Sequence, residues 1–253
     1  MDIWKFFDIT HKEHRICNPT NDAKFSHLTD LLRLNPGDRV LELATGKGEF
    51  IIQMAEKYQV SGVGIDLSPF CIRDAKARLE QRAPQASIEF IEMEGAHYQP
   101  PAPHAFDLAA CLGASWIFDG HRGTLAALRQ MVKPGGWIVV GEPYWIQEPD
   151  PAYLQATDMQ RETFGTYYEN AHTGESLGLS LVSAITSSRD DWDYYESMQW
   201  YAADLYARQN PHDPDIPELM QRVHADKHSY LKWGRDTLGW AIYVFRAPVQ
   251  QDS

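Results

Sequence analysis

Val40-Leu41-Glu42-Leu43-Ala44-Thr45-Gly46-Lys47-Gly48 is the stretch on which the fold turns. Its first five residues read as a buried strand with one acid, Glu42, near the end. Thr45-Gly46-Lys47-Gly48 is a glycine turn, after which Phe50, Ile51, Met54 and Ala55 recur at helical spacing. Strand, glycine turn and helix form the first half of a βαβ unit. Glycines in such a turn let the backbone approach a ligand closely.

The same grammar extends in both directions. Upstream, Phe25, Leu28, Leu31 and Leu32 are the apolar face of a helix that follows the turn Asn18-Pro19-Thr20-Asn21 and stops at Asn35-Pro36-Gly37-Asp38. Downstream, 60–65 reads as a second strand ending at Asp66. Ser68 is placed to cap the next helix, with Pro69 in its first turn. Further strands are expected at 88–93, 106–112 and 137–141, with a helix at 123–132 and a turn at Lys133-Pro134-Gly135-Gly136. A sixth strand is expected at 180–186 and a last one at 239–246, with helices over 192–235 broken at 210–214.

Apolar strands alternating with helices imply a parallel sheet covered on both faces. The expected class is α/β: a doubly wound, mostly parallel, seven-stranded sheet with a helical lid insertion. Residues 1–145 form the ligand-binding core with an N-terminal helical cover. Residues 146–235 form a mostly helical substrate lid that carries one core strand near 180–186, and 236–253 the final strand and tail. Such sheets bind ligands outside the carboxyl ends of their strands, at the switch point.

Composition narrows the partners. Asp and Glu number 35 against 23 Lys and Arg, a formal net charge of -12, and no basic run occurs. Nucleic-acid binders draw affinity from basic patches, so neither nucleic acid nor an anionic membrane is expected as a partner. Cys17, Cys71 and Cys111 are too far apart for a disulfide framework and fit a reducing compartment. Residues 1–10 contain Asp2, Lys5 and Asp8 and lack the apolar core of a secretory signal, so a cytoplasmic location is expected. The pairs His11/His14 and His224/His228 each lack a third ligand, and no metal is expected.

Two acids frame the glycine turn. A carboxylate at Glu42 suits an ammonium group, and Asp66 stands where nucleoside-binding α/β folds grip the ribose hydroxyls. A dinucleotide fingerprint would need a third glycine, whereas Glu49, Phe50 and Ile51 follow Gly48. No P-loop is present.

From Glu42 to Gly48 the chain resembles the class I S-adenosylmethionine (SAM)-dependent methyltransferases, whose first motif is acid-x-Gly-x-Gly-x-Gly, with Ala44 in place of the first glycine. Asp66 matches their ribose acid and Glu94 the position facing adenine, while 128–136 resembles the helix and turn before the fifth strand. The resemblance covers residues 36–145. It implies SAM as cofactor and S-adenosylhomocysteine (SAH) as product. It implies cofactor contacts from Glu42, Ala44, Thr45, Gly46 and Gly48, from Asp66 and Leu67, from Glu94 and Gly95, and from Leu112. Residues 13–19 and 141–145 are similar to a bacterial subgroup of that family. The Asn/Asp-Pro-Pro-Tyr/Phe signature of enzymes that methylate nucleic-acid amines is replaced by Leu112-Gly113-Ala114-Ser115-Trp116, which favours a small-molecule acceptor.

Methyl transfer is an in-line displacement that asks the protein chiefly for alignment. Glu142, Tyr144 and His14 are the expected catalytic residues, with Glu142 as general base or amine orienter, and Trp116, Trp145 and Arg15 line the acceptor. Each has a bland alternative: Glu142 as a structural acid, Trp116 as core, His14 and Arg15 as a surface pair. The aromatic residues of 192–201 alternate with acids and read as core or as a cation site. A non-catalytic SAM sensor on the same fold would share every cofactor motif, and so would an enzyme of other chemistry.

Overall fold

The computed structural model describes residues 1–249. Its strands are β1 (Arg39–Leu43), β2 (Ser61–Asp66), β3 (Ile88–Glu92), β4 (Phe106–Leu112), β5 (Val132–Trp145), β6 (Ser180–Thr186) and β7 (Leu238–Arg246). They form one sheet in the order β3-β2-β1-β4-β5-β7-β6. Neighbours from β3 to β5 run parallel, and β7 lies antiparallel between β5 and β6. Chain direction along the sheet order reverses between β1 and β4, so their carboxyl ends flank the switch point.

The helices are α1 (Ile3–Thr10), α2 (Asp22–Leu32), α3 (Glu49–Tyr58), α4 (Pro69–Arg82), α5 (His121–Met131), α6 (Pro151–Thr157), α7 (Tyr167–Ser176), α8 (Arg189–Gln209) and α9 (Ile216–Ser229). Their starts follow from local chemistry. Ser68 Oγ accepts from Cys71 N ahead of Pro69, as expected. Asn21 Oδ1 accepts from Lys24 N to open α2, and Ser188 and Asp191 form a reciprocal capping box on α8.

Alternation along the strands divides the core. Val40, Leu108 and Val139 face a layer with Phe25, Phe50 and Met54. Leu41, Leu43, Ala109 and Ile138 face the opposite layer with Leu125 and Leu128. Each such buried side chain contributes about 1.5–3 kcal/mol.

Two expectations change. β5 is longer than 137–141: the register jumps from Phe106↔Val132 to Leu108↔Trp137, so 133–136 bulge from a continuing strand. At the other end β7 keeps pairing from Glu142↔Ala241 to Trp145↔Leu238, although β4 stops opposite Gly141. The second change concerns the lid. α7 packs on α5, β5 and β7 and is a layer helix of the sheet. The cover comes from both chain ends, because α1 packs on α8 and α8 on α9 around Phe6, Ile9, Ala203, Leu219 and Val223. Among the described residues no helix is long and apolar enough to cross a membrane.

Candidate active site

The carboxyl ends of β1, β2 and β4 open into a cleft of about 210 Å³. Ala44, Gly46, Asp66, Leu112 and Gly113 line its sheet side; Trp4, Phe7 and His11 of α1 and Tyr195 of α8 roof it. Phe70 and Trp116 complete the walls, and Trp116 is 74% exposed.

The glycine loop is held by the two acids. Glu42, only 3% exposed, accepts at Oε2 from Thr45 Oγ1 (2.6 Å) and from Ile51 N (3.3 Å). Burial pushes its carboxyl up to about 8. Asp66 accepts from Gly46 N and Ser68 N, both at 2.8 Å, and burial raises its pKa. Gly48 has φ +74, and a Cβ there would come within 2.7 Å of the Phe90 ring, so glycine is required. Ala44, in the first glycine position of the motif, keeps the left-handed conformation at φ 52. An acid at the end of β2 beside a loop tight enough to demand glycine fits a nucleoside cofactor.

Lys47 joins this loop to the roof. Its buried ammonium donates to the carbonyls of His11 (2.7 Å), Lys12 (3.3 Å) and His14 (3.3 Å), at the C-terminal end of α1. A cation there also meets the negative end of the helix dipole. Arg78 adds bonds to the carbonyls of Arg15 (2.8 Å) and His14 (3.3 Å).

The roof carries a polar pair. Thr10 Oγ1 donates to Phe6 O (3.0 Å), so it accepts from His11 Nδ1 (3.0 Å). His11 Nε2 is then an open lone pair and accepts from the Tyr195 hydroxyl at 2.9 Å. Burial, with His14 and Lys47 nearby, pushes the His11 imidazole down to about 3, so the pair rests neutral. Burial raises the Tyr195 phenol well above its ordinary value.

The residues expected from sequence distribute unevenly. Ala44, Gly46, Asp66, Leu112 and Trp116 meet in the cleft. Glu42, Thr45 and Gly48 shape the loop beneath it. Leu67 is 48% exposed beside Asp66, and Gly95 is buried under Ile117. Glu94 is exposed, with Oε2 3.3 Å from His97 Nδ1. His14 and Arg15 line an adjoining cleft, where Arg15 pairs with Asp22 and Glu49.

The residues expected on the acceptor side, 142–145, lie within β5. Trp145 is 2% exposed, packs on Tyr153 and Phe164, and donates its indole N–H to Arg161 O at 2.8 Å. Tyr144 is half-buried against Tyr167. Glu142 lies behind the Ser115–Trp116 turn, accepting from Ser115 Oγ at 2.9 Å and lining a cleft of about 700 Å³ that shares Trp116 with the first. Burial pushes its carboxyl up to about 7. The cause is the length of β5: residues expected in a loop are strand residues paired to β7.

Sequence reasoning missed Trp4, Phe7, His11, Lys47, Phe70 and Tyr195 as site residues. Trp4, Phe7 and His11 recur at i, i+3 and i+7, the signature of a helix face. Tyr195 stood out only within the aromatic group of 192–201, and the packing of α8 on α1 brings it to the cleft.

Residues 40–136 match a family model described as a methyltransferase domain. The uncharacterized protein YjhP of Escherichia coli is 33% identical over 249 residues, 98% of this chain and all of that one. A SAM-dependent methyltransferase from Thiobacillus denitrificans, solved with SAH, is 34% identical, covers 98% of this chain and 100% of that chain, and superposes with a TM-score of 0.88. Another, from Geobacter sulfurreducens and also with SAH, is 32% identical over 96% of this chain and 98% of that chain, with a TM-score of 0.89.

Proposed function

The chain belongs to the class I SAM-dependent methyltransferases, and from that premise we propose that it methylates a small molecule held between α1, Trp116 and Tyr195. The observation that carries this reading is the shared cleft: glycine loop and Asp66 on one side, aromatic roof and the His11–Tyr195 pair on the other. A cleft under a helical roof suits a small acceptor, and a net charge of -12 disfavours a nucleic-acid one.

SAM when bound supplies the methyl group on a sulfonium, ready for in-line displacement. In this proposal Asp66 and Leu67 hold the ribose, and Ala44, Gly46 and Leu112 hold the methionine part. Glu94 and Gly95 border the adenine. Glu42, Thr45 and Gly48 keep the loop in shape. The Tyr195 oxygen, its own proton held by His11 Nε2, would accept a hydrogen bond from the nucleophile and aim its lone pair at the methyl group. Glu142 acts as a positioning residue, holding the Ser115–Trp116 wall through the Ser115 hydroxyl.

Calorimetric titration with SAM, SAH and NAD tests the cofactor assignment; SAM and SAH bind and NAD does not. Incubation with a small-molecule fraction of cell extract then releases SAH. Tyr195→Phe lowers that release about a hundredfold and leaves SAH affinity unchanged. Equal loss of both removes Tyr195 from the chemistry, and SAH binding without any release marks a binding protein.

A further inference from the structure

Behind the Ser115–Trp116 turn two buried polar atoms stand without a hydrogen-bond partner: His121 Nδ1, on the first residue of α5, and Glu142 Oε2, on β5. They lie 3.8 Å apart. His121 is 9% and Glu142 1% exposed, so bulk water offers them little compensation. An unpaired buried polar group costs about 1–3 kcal/mol. One proton between the two atoms satisfies both.

The surrounding bonds fix where that proton sits. The Asn170 carbonyl can only accept, so His121 Nε2 donates to it at 3.0 Å and carries the ring proton. Nδ1 of the neutral ring is then a bare lone pair. Ser115 Oγ donates to Glu142 Oε1 at 2.9 Å. The two carboxyl oxygens thus have opposite tasks: Oε1 accepts, and Oε2 faces a lone pair. A neutral carboxylic acid performs both, whereas a carboxylate sets lone pair against lone pair. A closure of about 1 Å makes a full hydrogen bond.

The environment keeps both groups uncharged. His121 stands at the N-terminus of α5, whose dipole disfavours an imidazolium. Burial pushes the imidazole down to about 4 and the carboxyl up to about 7. The Tyr243 ring of β7 is centred 5.6 Å from the imidazole, and burial raises both its phenol and the Cys111 thiol of β4. The charged side chains of the adjoining cleft are engaged or exposed: Arg122 bonds Ser176, Arg161 pairs with Glu148, and Asp119, Glu162 and Glu169 are exposed.

The pair is also tied to the cofactor cleft. Gly120 N, next to His121, donates to Ser115 O at 3.0 Å, and Ser115 precedes Trp116, which lines both clefts. We propose that a proton held between Glu142 and His121 latches the Ser115–Trp116 wall, which makes His121 a positioning residue for the cofactor cleft. The latch is closed while Glu142 is the acid and opens as rising pH forms the carboxylate. Its effect on cofactor rests on the methyltransferase reading; the shared proton does not.

The test is carboxyl and imidazole NMR of the full-length free protein, with signals assigned by their loss in Glu142→Gln and His121→Gln. SAH is titrated calorimetrically over the same pH range. Glu142 is protonated and the His121 ring neutral just below about 7. Relative to Glu142→Gln, whose amide N–H serves Nδ1 at every pH, the parent loses about fivefold in SAH affinity as pH rises through the step. Glu42, also raised by burial, is common to both proteins, so their ratio isolates the latch. His121→Gln reaches the Asn170 carbonyl but lacks the Nδ1 lone pair, and its Glu142 step moves to lower pH. His121→Asn, with an acceptor at the Nδ1 place, returns the step toward that of the parent. A merely structural histidine would not order these variants in this way. An imidazolium in that range, a Glu142 step at ordinary carboxylate values, or a step unmoved by His121→Gln overturns the shared proton. An affinity ratio that stays constant across the step overturns the latch. Failure of SAH to bind at any pH would overturn the methyltransferase reading instead, and the NMR result would stand.

Discussion

The two sides of the cleft are built on different principles. On the sheet side, polar groups are paired before any ligand arrives: Glu42 with Thr45 and Ile51, Asp66 with Gly46 and Ser68. On the roof side, Phe7 exposes apolar surface, and in the segment 14–20 behind the roof His14, Asn18 and Thr20 keep buried atoms unpaired. A preformed half suits a ligand that never changes, since preorganisation lowers the cost of binding. Unpaired buried polar atoms on the other side cost stability.

The sharpest way to break this comparison is to cut the bond between the halves. Lys47→Met removes the buried ammonium from three carbonyls at the end of α1, of which His14 keeps Arg78 and His11 keeps the His14 N–H. It is expected to cost about 4 kcal/mol in urea unfolding and to weaken SAH by more than tenfold. A stability loss with SAH affinity intact would mean that the roof plays no part in holding cofactor.

The next effect concerns Glu142, which lies on the sheet side yet has an unpaired oxygen. Its carboxyl is held up at about 7 by burial. Between the ordinary carboxylate range and that value the folded protein keeps a proton that the unfolded chain releases. Glu142 therefore contributes stability at low pH that is lost as pH rises through about 7. Glu142→Gln has no such proton, so it gains on the parent across that window, by about 3 kcal/mol at the upper end. Urea unfolding at pH values on either side of the window checks this; a constant difference would mean that the acid is not buried as described. In the extract assay a positioning role moves SAH affinity and turnover together, whereas the base expected from sequence would move turnover alone.

The smallest effect sharpens the sheet side. Ala44 sits at φ 52, where an L-residue other than glycine is strained. Ala44→Gly is expected to stabilise the protein by about 1 kcal/mol and to leave SAH affinity unchanged. A destabilised variant would show that the methyl group of Ala44 is packing against the loop and outweighs the strain.

The legible part of the site was the part whose chemistry is local. Gly46, Gly48 and Asp66 are read from residues adjacent to strand ends, because turn geometry and strand termination depend on near neighbours. That Glu142, Tyr144 and Trp145 lie within a strand was not legible, for a non-local reason. Where β5 ends depends on β7, almost a hundred residues later, which carries the ladder past the end of β4. An N-terminal helical cover and a helical lid within 146–235 were both expected; that α1 and α8 pack on each other was not legible.

The sequence by itself determined the alternation of strands and helices, the glycine loop with its two acids, and hence the kind of cofactor that the sheet holds. Those features are set by periodicity, backbone conformation and charge within a few residues. Tertiary structure alone decided which side chains close the cleft from the other side. His11 and Tyr195 stand 184 positions apart and meet only when α8 packs on α1. Lys47 looks like an ordinary loop residue until the carbonyls at the end of α1 arrive around it. A parallel sheet brings distant strand ends to one edge, and its cover is drawn from whichever helices bury their apolar faces there, so the acceptor side is written in long-range packing.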